Sequence, residues 1–368
     1  MVQIAIIGGG IGGLTAALAL QQSGFQFDVF EQAPALHDVG AAIAIWPNAM
    51  RILQRLNLAD AILEKAGVME EIRWVDQRGW LINRVSIADH KFPAVALHRA
   101  DLQNTLVRAL PPSSLHLGHE LTDQTQRGDK MIATFANGHS IEAEFLIGAD
   151  GIHSRVREQF LDDGPPVDRG YIVWRGISPA IPTSIPSAAA VEFHGRGKRF
   201  GLGPVGRGRL GWWASANNPI TDELPRLFDG WHRSVLELIE STPPSSILKT
   251  TASDRLPSKV WGRGRMTMLG DAIHPTTPNL GQGGCLAMED AFVLATCLQK
   301  YGTVEEALRN YEQLRYKRTA AISKYSRYYG SMGQWEDIWS RALRKTSLAL
   351  VPESVMKRLM QIVFDYDI

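Results

Sequence analysis

A glycine-rich turn near the start of the chain has the spacing of a phosphate-binding loop. Gly8, Gly10 and Gly13 form a G-x-G-x-x-G pattern between the apolar run Val2–Ile7 and a predicted helix. Glycines at these positions permit a tight turn, close approach of the backbone to a pyrophosphate, and packing of helix on strand. Glu31 follows a second predicted strand, where its carboxylate can accept hydrogen bonds from ribose hydroxyls. The pattern predicts a dinucleotide site and, taken alone, does not separate FAD from NAD.

Two later stretches repeat this arrangement of apolar strand, glycine and aspartate. Asp150 lies within Gly148–Arg155, where a plain helix N-cap is the alternative interpretation. Asp271 ends another apolar strand and is followed by the turn Pro278–Gly284, which opens a predicted helix with free amide groups. Two nucleotide-like sites in one chain indicate a single extended cofactor that reaches both.

The apolar patterning predicts the elements that position these motifs. Short buried strands followed by helices open the chain and return at Phe145–Ala149 and Met266–Leu269. From Arg169 to Ala216, strand-like runs separated by Gly and Pro predict an antiparallel sheet. The predicted fold class is α/β (α+β), a Rossmann-like nucleotide-binding domain with an inserted antiparallel β-sheet domain and C-terminal helices. We place the first domain at 1–70, 95–168 and 258–330, the inserted domain at 71–94 and 169–257, and the C-terminal helices at 331–368.

Composition argues against several classes of function. The 39 basic and 38 acidic side chains give a net charge of +1, so nothing predicts a nucleic-acid partner. Cys285 and Cys297 share one predicted helix and form neither a metal nor a disulfide pattern, which favours a cytoplasmic setting and no metal. The uncharged run Ile4–Leu20 lacks a basic leader and is broken by glycines, so we interpret it as strand, turn and helix rather than signal peptide or membrane span.

The order and spacing of the three motifs resemble the class A, para-hydroxybenzoate hydroxylase-type, FAD-dependent aromatic monooxygenases. The resemblance covers roughly residues 1–330 and extends to Gly40-Ala41-Ala42, Trp46-Pro47-Asn48 and His98–Leu102. It implies that the first domain binds FAD and the inserted domain binds substrate. The cofactor-binding residues it implies are Gly8, Gly10, Gly12, Gly13, Glu31, Gln32, Ala42, Arg99, Leu121, Asp150, Asp271, Leu280, Gly281, Gly283 and Gly284.

The same resemblance implies the reaction. NAD(P)H, as co-substrate, reduces FAD, O₂ adds at flavin C4a, and the hydroperoxide transfers one oxygen to a small aromatic or heteroaromatic substrate while water is excluded. The family places a loop at Pro278 beside the oxygen-reactive edge of the flavin, and the catalytic candidates are Pro278, Asn279 and Arg199.

Side chains of the antiparallel sheet are the candidates for contact with the substrate. Aromatic rings suit a planar molecule, and an arginine suits a carboxylate or phenolate. The candidates are Trp174, Arg175, His194, Arg199, Trp212 and Trp213. Trp212 and Trp213 cannot both face the pocket, because alternate residues of a strand point to opposite faces. His274, on the proline-rich loop, is expected to be structural or flavin-side, since a metal would need more ligands.

Within the family, the chain is most similar to urate, salicylate and hydroxynicotinate hydroxylase-like members. The urate hydroxylase resemblance includes Gly197-Lys198-Arg199 and Thr276-Thr277-Pro278. The chain departs from that enzyme at Asn279, where an aspartate is functional there, and at Gly211, where a tyrosine is. An amide removes a titratable base, which argues against urate as the substrate.

Other interpretations stay open. A flavoenzyme of the same fold could be an epoxidase, an N-hydroxylase or a reductase, and a non-catalytic flavin-binding redox sensor is a separate class. A halogenase is disfavoured because the chain has no Trp-x-Trp-x-Ile-Pro segment. The apolar stripe of Ser354–Phe364 predicts a helix packed on its own domain or on a partner subunit, with membrane contact as the less favoured interpretation. Monomer and homodimer fit the sequence equally.

Overall fold

The computed structural model describes residues 2–36, 41–179 and 181–366. Its strands are β1 (Val2–Ile7), β2 (Phe27–Phe30), β3 (Ala42–Ile45), β4 (Gly67–Met69), β5 (Glu71–Asp76), β6 (Leu81–Ser86), β7 (Ala94–His98), β8 (Leu115–His116), β9 (Leu121–Arg127), β10 (Lys130–Phe135), β11 (Ser140–Gly148), β12 (Val167–Ser178), β13 (Ala189–His194), β14 (Lys198–Pro204), β15 (Leu210–Asn217), β16 (Leu248–Asp254) and β17 (Met266–Met268). Its helices are α1 (Ile11–Gln22), α2 (Pro47–Arg55), α3 (Ala59–Leu63), α4 (Arg99–Arg108), α5 (Arg155–Leu161), α6 (Leu224–Leu227), α7 (Arg233–Ser241), α8 (Gly283–Lys300), α9 (Val304–Gly333), α10 (Ile338–Leu350) and α11 (Glu353–Phe364).

The first sheet is Rossmann-like. Its strands lie in the order β8-β2-β1-β11-β10-β9, and β17 pairs with the carboxyl end of β11. β1 is parallel to β2 and β11, and β11 is parallel to β17, which confirms the predicted βαβ opening. β10 and β11 form the hairpin predicted from Asn137-Gly138, with Gly138 at φ +82°. Helices α1 and α8 pack together and share one hydrophobic core with these strands.

The second sheet is formed by two separate stretches of the chain, which supply β5 and β6 and then β12 to β16. Its order is β16-β12-β15-β14-β13-β5-β6, with antiparallel neighbours except for the parallel pair β13 and β5. Helix α7 covers one face through Val235 and Leu238. The sequence predicts a single helix over Glu223–Glu240, and this prediction is wrong. The chain forms α6 and α7, and the break between them contains Gly230 at φ +76°.

A small antiparallel sheet has the order β3-β7-β4, and its strands contact β12 and β14 of the second sheet. The sequence predicts a loop through Ile45, whereas Ala42–Ile45 pairs with β7; four apolar residues after a turn-rich segment are too short a run to signal a strand. Gly40 lies outside the described residues. A Cβ placed on Gly211 would lie 2.4 Å from the Cβ of Ala42, so β15 meets this small sheet closely.

The C-terminal third is helical, and the predicted boundary at residue 330 falls within the last turn of α9. Helix α11 packs Met356, Val363 and Phe364 into a hydrophobic cluster, and Phe364 stacks on Trp46 at 4.6 Å. Met356 and Val363 of the predicted stripe therefore pack on their own chain, whereas Val355 and Leu359 are about half exposed. Within the described ranges, no helix is long and apolar enough to cross a membrane.

Candidate functional site

The three glycine-containing motifs follow three neighbouring parallel strands. Gly8–Gly13 follows β1, Gly148–Gly151 closes β11, and Gly270-Asp271 comes just after β17. β11 lies between β1 and β17, and Ala149 N donates to Ile7 O at 2.7 Å. The carboxyl ends of adjacent parallel strands share one edge of a sheet, so all three motifs border one crevice.

Steric contact explains glycine at Gly8 and Gly13, and open space distinguishes Gly10. Gly8 has φ +113°, a conformation that disfavours a side chain. A Cβ on Gly13 would lie 2.0 Å from the carbonyl oxygen of Gly8, whereas, apart from its chain neighbours, none of the described residues has an atom within 4 Å of the Cβ position of Gly10. The loop is tightly packed on one side and open at Gly10, where a phosphate can approach the backbone.

Glu31 holds this loop from the end of β2. Its Oε2 accepts a hydrogen bond from Gly9 N at 2.6 Å, and its Oε1 accepts one from Ala33 N at 3.0 Å. Gln32, the next residue, is exposed. The acidic side chain thus lies beside the glycine loop, as the dinucleotide pattern predicts.

Asp150 holds the start of α5, although Ser154 is the N-cap residue itself. Its Oδ2 accepts from Arg155 N at 2.8 Å and from Val156 N at 3.2 Å. Its Oδ1 is buried and has no hydrogen-bond partner among the described residues, and burial raises the pKa of this carboxyl. A buried unpaired oxygen is costly, so it suits the hydroxyl or amide donor of a bound molecule.

Asp271 lies next to the first turn of α8. Its Oδ1 is 3.6 Å from the Cβ position of Gly283. The side chain is open to solvent at the crevice, yet the surrounding protein desolvates it and raises its pKa, an effect that His274 and Arg99 oppose. Arg99 is exposed at the start of α4. The crevice therefore holds a carboxylate and a guanidinium near the N-terminus of α8, a helix of 18 residues.

His274 stabilises the turn at Gly270-Asp271 through Asp290. Its Nε2 lies 2.5 Å from Asp290 Oδ2, which also accepts from Gly270 N at 2.9 Å, and Arg315 Nε donates to Asp290 Oδ1 at 2.7 Å. Burial opposes ionisation, but His274 and Arg315 lower the pKa of Asp290 to about 2. The contacts of His274 are those of a structural residue, as expected from the sequence.

The turn before α8 packs beside Ala42, whereas Leu121 lies in the hydrophobic core. Gly281 has φ +62°, and Leu280 packs partly into the cluster that contains Ala42. Leu121 is buried in the core at the start of β9, opposite Phe135. Together with the open backbone at Gly10 and the unpaired Asp150 oxygen, these surroundings fit an extended cofactor that carries a pyrophosphate and several hydroxyls.

The antiparallel sheet turns one face to α7 and the other to the crevice. Trp174 and Trp212 lie on the α7 face, and Trp212 Nε1 donates to Thr242 Oγ1 at 2.8 Å. These two side chains point away from the crevice, so the prediction that they contact the substrate is wrong. Trp213 lies on the crevice face, half-buried and flat over Gly201, whose Cβ position is 2.2 Å from Trp213 Nε1.

Arg199 and Asn279 connect this sheet to the loop before α8. Arg199 donates from Nη2 to Asn279 Oδ1 and from Nη1 to Glu192 Oε1 at 3.2 Å, and its guanidinium lies 5.0 Å from the ring centroid of Trp213. Two catalytic candidates thus meet, while Pro278 is exposed beside them. Arg199 itself is fully buried, so its surroundings favour a positioning role over direct contact with a substrate.

The opposite edge of the Asn279 amide is also bound. Its Nδ2 donates to Tyr171 OH at 2.9 Å and to Ser326 O at 3.0 Å. A carbonyl oxygen only accepts, so Ser326 sets the orientation of the amide. A polar cavity of about 530 Å³, lined by Tyr171, Thr277 and Arg327 among others, brings solvent to the far side of Tyr171.

Four residues of this network, Tyr329, Glu192, Trp74 and Tyr171, were missed from the sequence. Tyr329 OH donates to Glu192 Oε2 at 2.6 Å and accepts from Trp74 Nε1 at 2.8 Å, and Tyr171 binds Asn279. A carboxylate between apolar residues of a strand was a usable signal for Glu192. Tyr329 stands among other tyrosines of a helix and carries no such signal.

The two remaining substrate candidates have different surroundings. Arg175 is half-buried, and its Nη1 donates to Thr250 Oγ1 at 3.1 Å. Burial and the charge of Arg99 lower its pKa. His194 is buried beside Glu192, and desolvation lowers its pKa to about 4. Its enclosure separates it from the open part of the crevice.

Comparison with known proteins gives matches over nearly the whole chain. The family model described as FAD binding domain matches residues 1–326. The chain is 36% identical over 360 residues to aurachin C monooxygenase/isomerase of Stigmatella aurantiaca (95% of this chain, 94% of that protein). It is 33% identical over 354 residues to 6-hydroxynicotinate 3-monooxygenase of Pseudomonas fluorescens (88% and 90%). The crystal structure of Klebsiella pneumoniae HpxO complexed with FAD and uric acid has a TM-score of 0.91 at 31% identity (97% and 95%). The predicted fold class is confirmed.

Proposed function

Because the chain belongs to the FAD-binding class A flavin monooxygenases, which act on aromatic and heteroaromatic compounds, we propose that it hydroxylates a small aromatic substrate with NAD(P)H and O₂. The observation that carries this proposal is the convergence of three motifs at the carboxyl edge of β1, β11 and β17. When bound, FAD supplies the redox chemistry with nicotinamide and dioxygen. The residues of this chain hold the cofactor, orient the substrate and exclude water.

In this proposal the cofactor lies along the crevice from the first glycine loop to the start of α8. The open backbone at Gly10 approaches the pyrophosphate, and the carboxylates of Glu31 and Asp271 accept from hydroxyls. The residues proposed to bind FAD are Gly8, Gly10, Gly12, Gly13, Glu31, Gln32, Ala42, Arg99, Leu121, Asp150, Asp271, Leu280, Gly281, Gly283 and Gly284.

Pro278 and Asn279 form the loop between cofactor and substrate sheet. Asn279 carries no titratable proton, and both edges of its amide are bound to Arg199, Tyr171 and Ser326. It therefore holds the loop closed rather than moving a proton.

The substrate ring is proposed to lie against Trp213, with Arg175 toward an anionic or hydroxyl substituent. Trp213 is flat over Gly201, so its ring presents a planar wall. Gly211 and Asn279 both support a substrate other than urate. A tyrosine at position 211 would bring its Cβ within 2.4 Å of Ala42, and a carboxylate at 279 would face the Ser326 carbonyl.

The test is NAD(P)H oxidation by purified holo-protein with a panel of phenolic acids, hydroxypyridines and quinolones under air. A substrate is expected to accelerate NAD(P)H oxidation, to consume O₂, and to leave a product heavier by one oxygen atom. No O₂ consumption with either nicotinamide across the panel would contradict the proposal. A product changed only by two hydrogens would point to a reductase, and failure of NAD(P)H to reduce the flavin under every condition would point to a sensor.

A further inference from the structure

The last two turns of helix α9 contain two buried glycines, Gly330 and Gly333. Glycine is a poor helix former, because its backbone loses more conformational freedom on folding than that of any other residue. Neither residue has a positive φ, so a left-handed backbone does not explain the choice of glycine. The two residues are three positions apart and lie on one side of the helix, which makes close packing against that side the physical reason to consider.

The two glycines lie against the side chains that connect the antiparallel sheet to the loop before α8. A Cβ on Gly330 would lie 2.3 Å from Asn279 Nδ2 and 3.0 Å from the hydroxyl oxygen of Tyr171. A Cβ on Gly333 would lie 2.4 Å from Arg199 Nε and 2.5 Å from Arg199 Cδ. These distances are too short for a carbon atom, so a side chain at either position would displace Asn279 or Arg199.

Both of these side chains are held in place. The Asn279 oxygen accepts a hydrogen bond from Arg199, and the Asn279 nitrogen donates to Tyr171 OH at 2.9 Å and to Ser326 O at 3.0 Å. Arg199 is fully buried and also donates to Glu192. A methyl group added to α9 would therefore break hydrogen bonds at the loop, because the densely packed surroundings leave no easy displacement.

Helix α9 also holds the loop at a second residue. Ser326 lies one turn before Gly330 and is fully buried. Its Oγ donates to Thr277 O at 2.6 Å, and the hydroxyl oxygens of Ser326 and Thr277 lie 2.9 Å apart. The helix thus binds the loop at Thr277 and again at Asn279, on either side of Pro278.

The carboxyl end of α9 is fixed by α10. Arg344 donates to the carbonyl oxygens of Met332 at 3.0 Å and Gly333 at 2.7 Å, which satisfies two of the last carbonyl groups of the helix. The same guanidinium donates to Gly195 O at 2.8 Å, just after β13. Helix α9 therefore cannot move away from Arg199 without breaking these hydrogen bonds.

We propose that Gly330 and Gly333 are positioning residues: because they lack side chains, Asn279 and Arg199 lie against the backbone of α9, and this contact sets the position of the loop before α8. Neither glycine carries a reactive group, so each acts on the reaction only through Asn279 and Arg199. The consequence for turnover rests on the proposed function, which places this loop between cofactor and substrate.

The test is Gly330→Ala in the full-length holo-protein. Hydrogen exchange of the backbone amides of residues 276–283 should become at least about tenfold faster, whereas exchange in β1 should not change. Displacement of the loop should lower the rate of product formation by about tenfold and should direct a larger share of NAD(P)H oxidation to H₂O₂. The melting temperature should stay close to that of the wild type, since alanine favours the helix.

Gly302→Ala is the matched control, because it makes the same change just before α9. Gly302 is exposed, and apart from its chain neighbours none of the described residues has an atom within 4 Å of its Cβ position. This variant should keep the exchange rates, the yield of product and the melting temperature of the wild type.

A double variant shows whether the new methyl group acts through the loop. Asn279→Ala removes the side chain that the methyl group would displace, so adding Gly330→Ala to it should change neither exchange nor product yield any further. If Gly330→Ala alone does not fold, recovery of folding in the double variant supports the same conclusion.

Two results would overturn the proposal. One is unchanged exchange of residues 276–283 in folded Gly330→Ala. The other is an equal effect of Gly330→Ala with and without Asn279→Ala, including a failure to fold in both. Exchange is measured without substrate, so it tests the positioning role even if the wild type hydroxylates no compound of the panel, a result that would contradict the proposed function alone.

Discussion

Arg199 of the antiparallel sheet donates a hydrogen bond to the side-chain oxygen of Asn279, which lies in the loop before α8. The two residues are 80 positions apart in the chain, and one lies in a strand whereas the other lies in a loop. Glu192 binds the other end of the guanidinium, and the Ser326 carbonyl binds the amide of Asn279. The position of the loop before α8 therefore depends on a buried cation in the antiparallel sheet.

Arg199→Gln is expected to cost about 3 kcal/mol of unfolding free energy, because removing one member of a buried pair leaves Glu192 and the Asn279 oxygen unpaired. The measurement is urea unfolding of the holo-protein. Arg196→Gln, at an exposed neighbouring arginine, should change stability by less than about 0.5 kcal/mol. Equal small effects for both variants would show that the contact between Arg199 and Asn279 stabilises nothing.

Tyr329→Phe tests the hydrogen bonds that join Glu192, the partner of Arg199, to Trp74 through Tyr329. The substitution removes the donor to Glu192 and the acceptor of Trp74, and the two unpaired groups should cost about 1–3 kcal/mol. Tyr328→Phe is the matched control, since Tyr328 is the adjacent tyrosine and is 59% exposed. Thermal and urea unfolding should show that Tyr329→Phe is clearly less stable than Tyr328→Phe. Equal stability of the two variants would show that the hydrogen bonds of Tyr329 do not stabilise the protein.

Stability is expected to fall in acid through His194. Its pKa is about 4 in the folded protein because of burial, against an ordinary value near 6.5 in the unfolded chain. The unfolded state therefore binds more protons between these values, so stability decreases as pH falls from about 6.5 to 4 and loses roughly 2–3 kcal/mol. Urea unfolding at pH 8 and pH 5 measures this, and His194→Asn should reduce the difference. An unchanged difference in the variant would assign the acid sensitivity elsewhere.

Adjacent tryptophans offer a direct test of which sheet face meets the substrate. Trp212→Ala should lower stability by about 3–5 kcal/mol, because it empties a core site and breaks the hydrogen bond to Thr242. Trp213→Ala should cost less stability and should raise KM for the substrate, since the half-buried ring lies on the crevice face. Steady-state kinetics with unfolding of both variants gives the answer. A raised KM in Trp212→Ala alone would reverse our assignment of the faces.

The glycine motifs were predictable because their chemistry is local: strand, turn and helix are contiguous, and Glu31 lies one strand away. The sequence did not predict on which face of the antiparallel sheet Trp174 and Trp212 lie. Residues on both faces of the central strands β13, β14 and β15 are buried or half-buried, so the apolar residues of the sheet do not mark an outer side. The contact between Tyr329 and Glu192 joins residues 137 positions apart and depends on how α9 packs.

Gly10→Ala and Gly13→Ala should separate cofactor binding from folding. Gly10 has φ −76° and open space around its Cβ position, so alanine is sterically tolerated, and the apo-protein should melt as wild type does. The new methyl group occupies the space proposed for the pyrophosphate, so FAD should bind at least about tenfold more weakly and should raise the melting temperature less. Gly13→Ala puts a methyl group within 2.0 Å of a carbonyl oxygen and should destabilise the apo-protein as well. Flavin fluorescence quenching gives Kd, and calorimetry of both apo-proteins gives stability. Wild-type FAD affinity in Gly10→Ala would place the pyrophosphate away from this loop, even though the fold around Gly13 is intact.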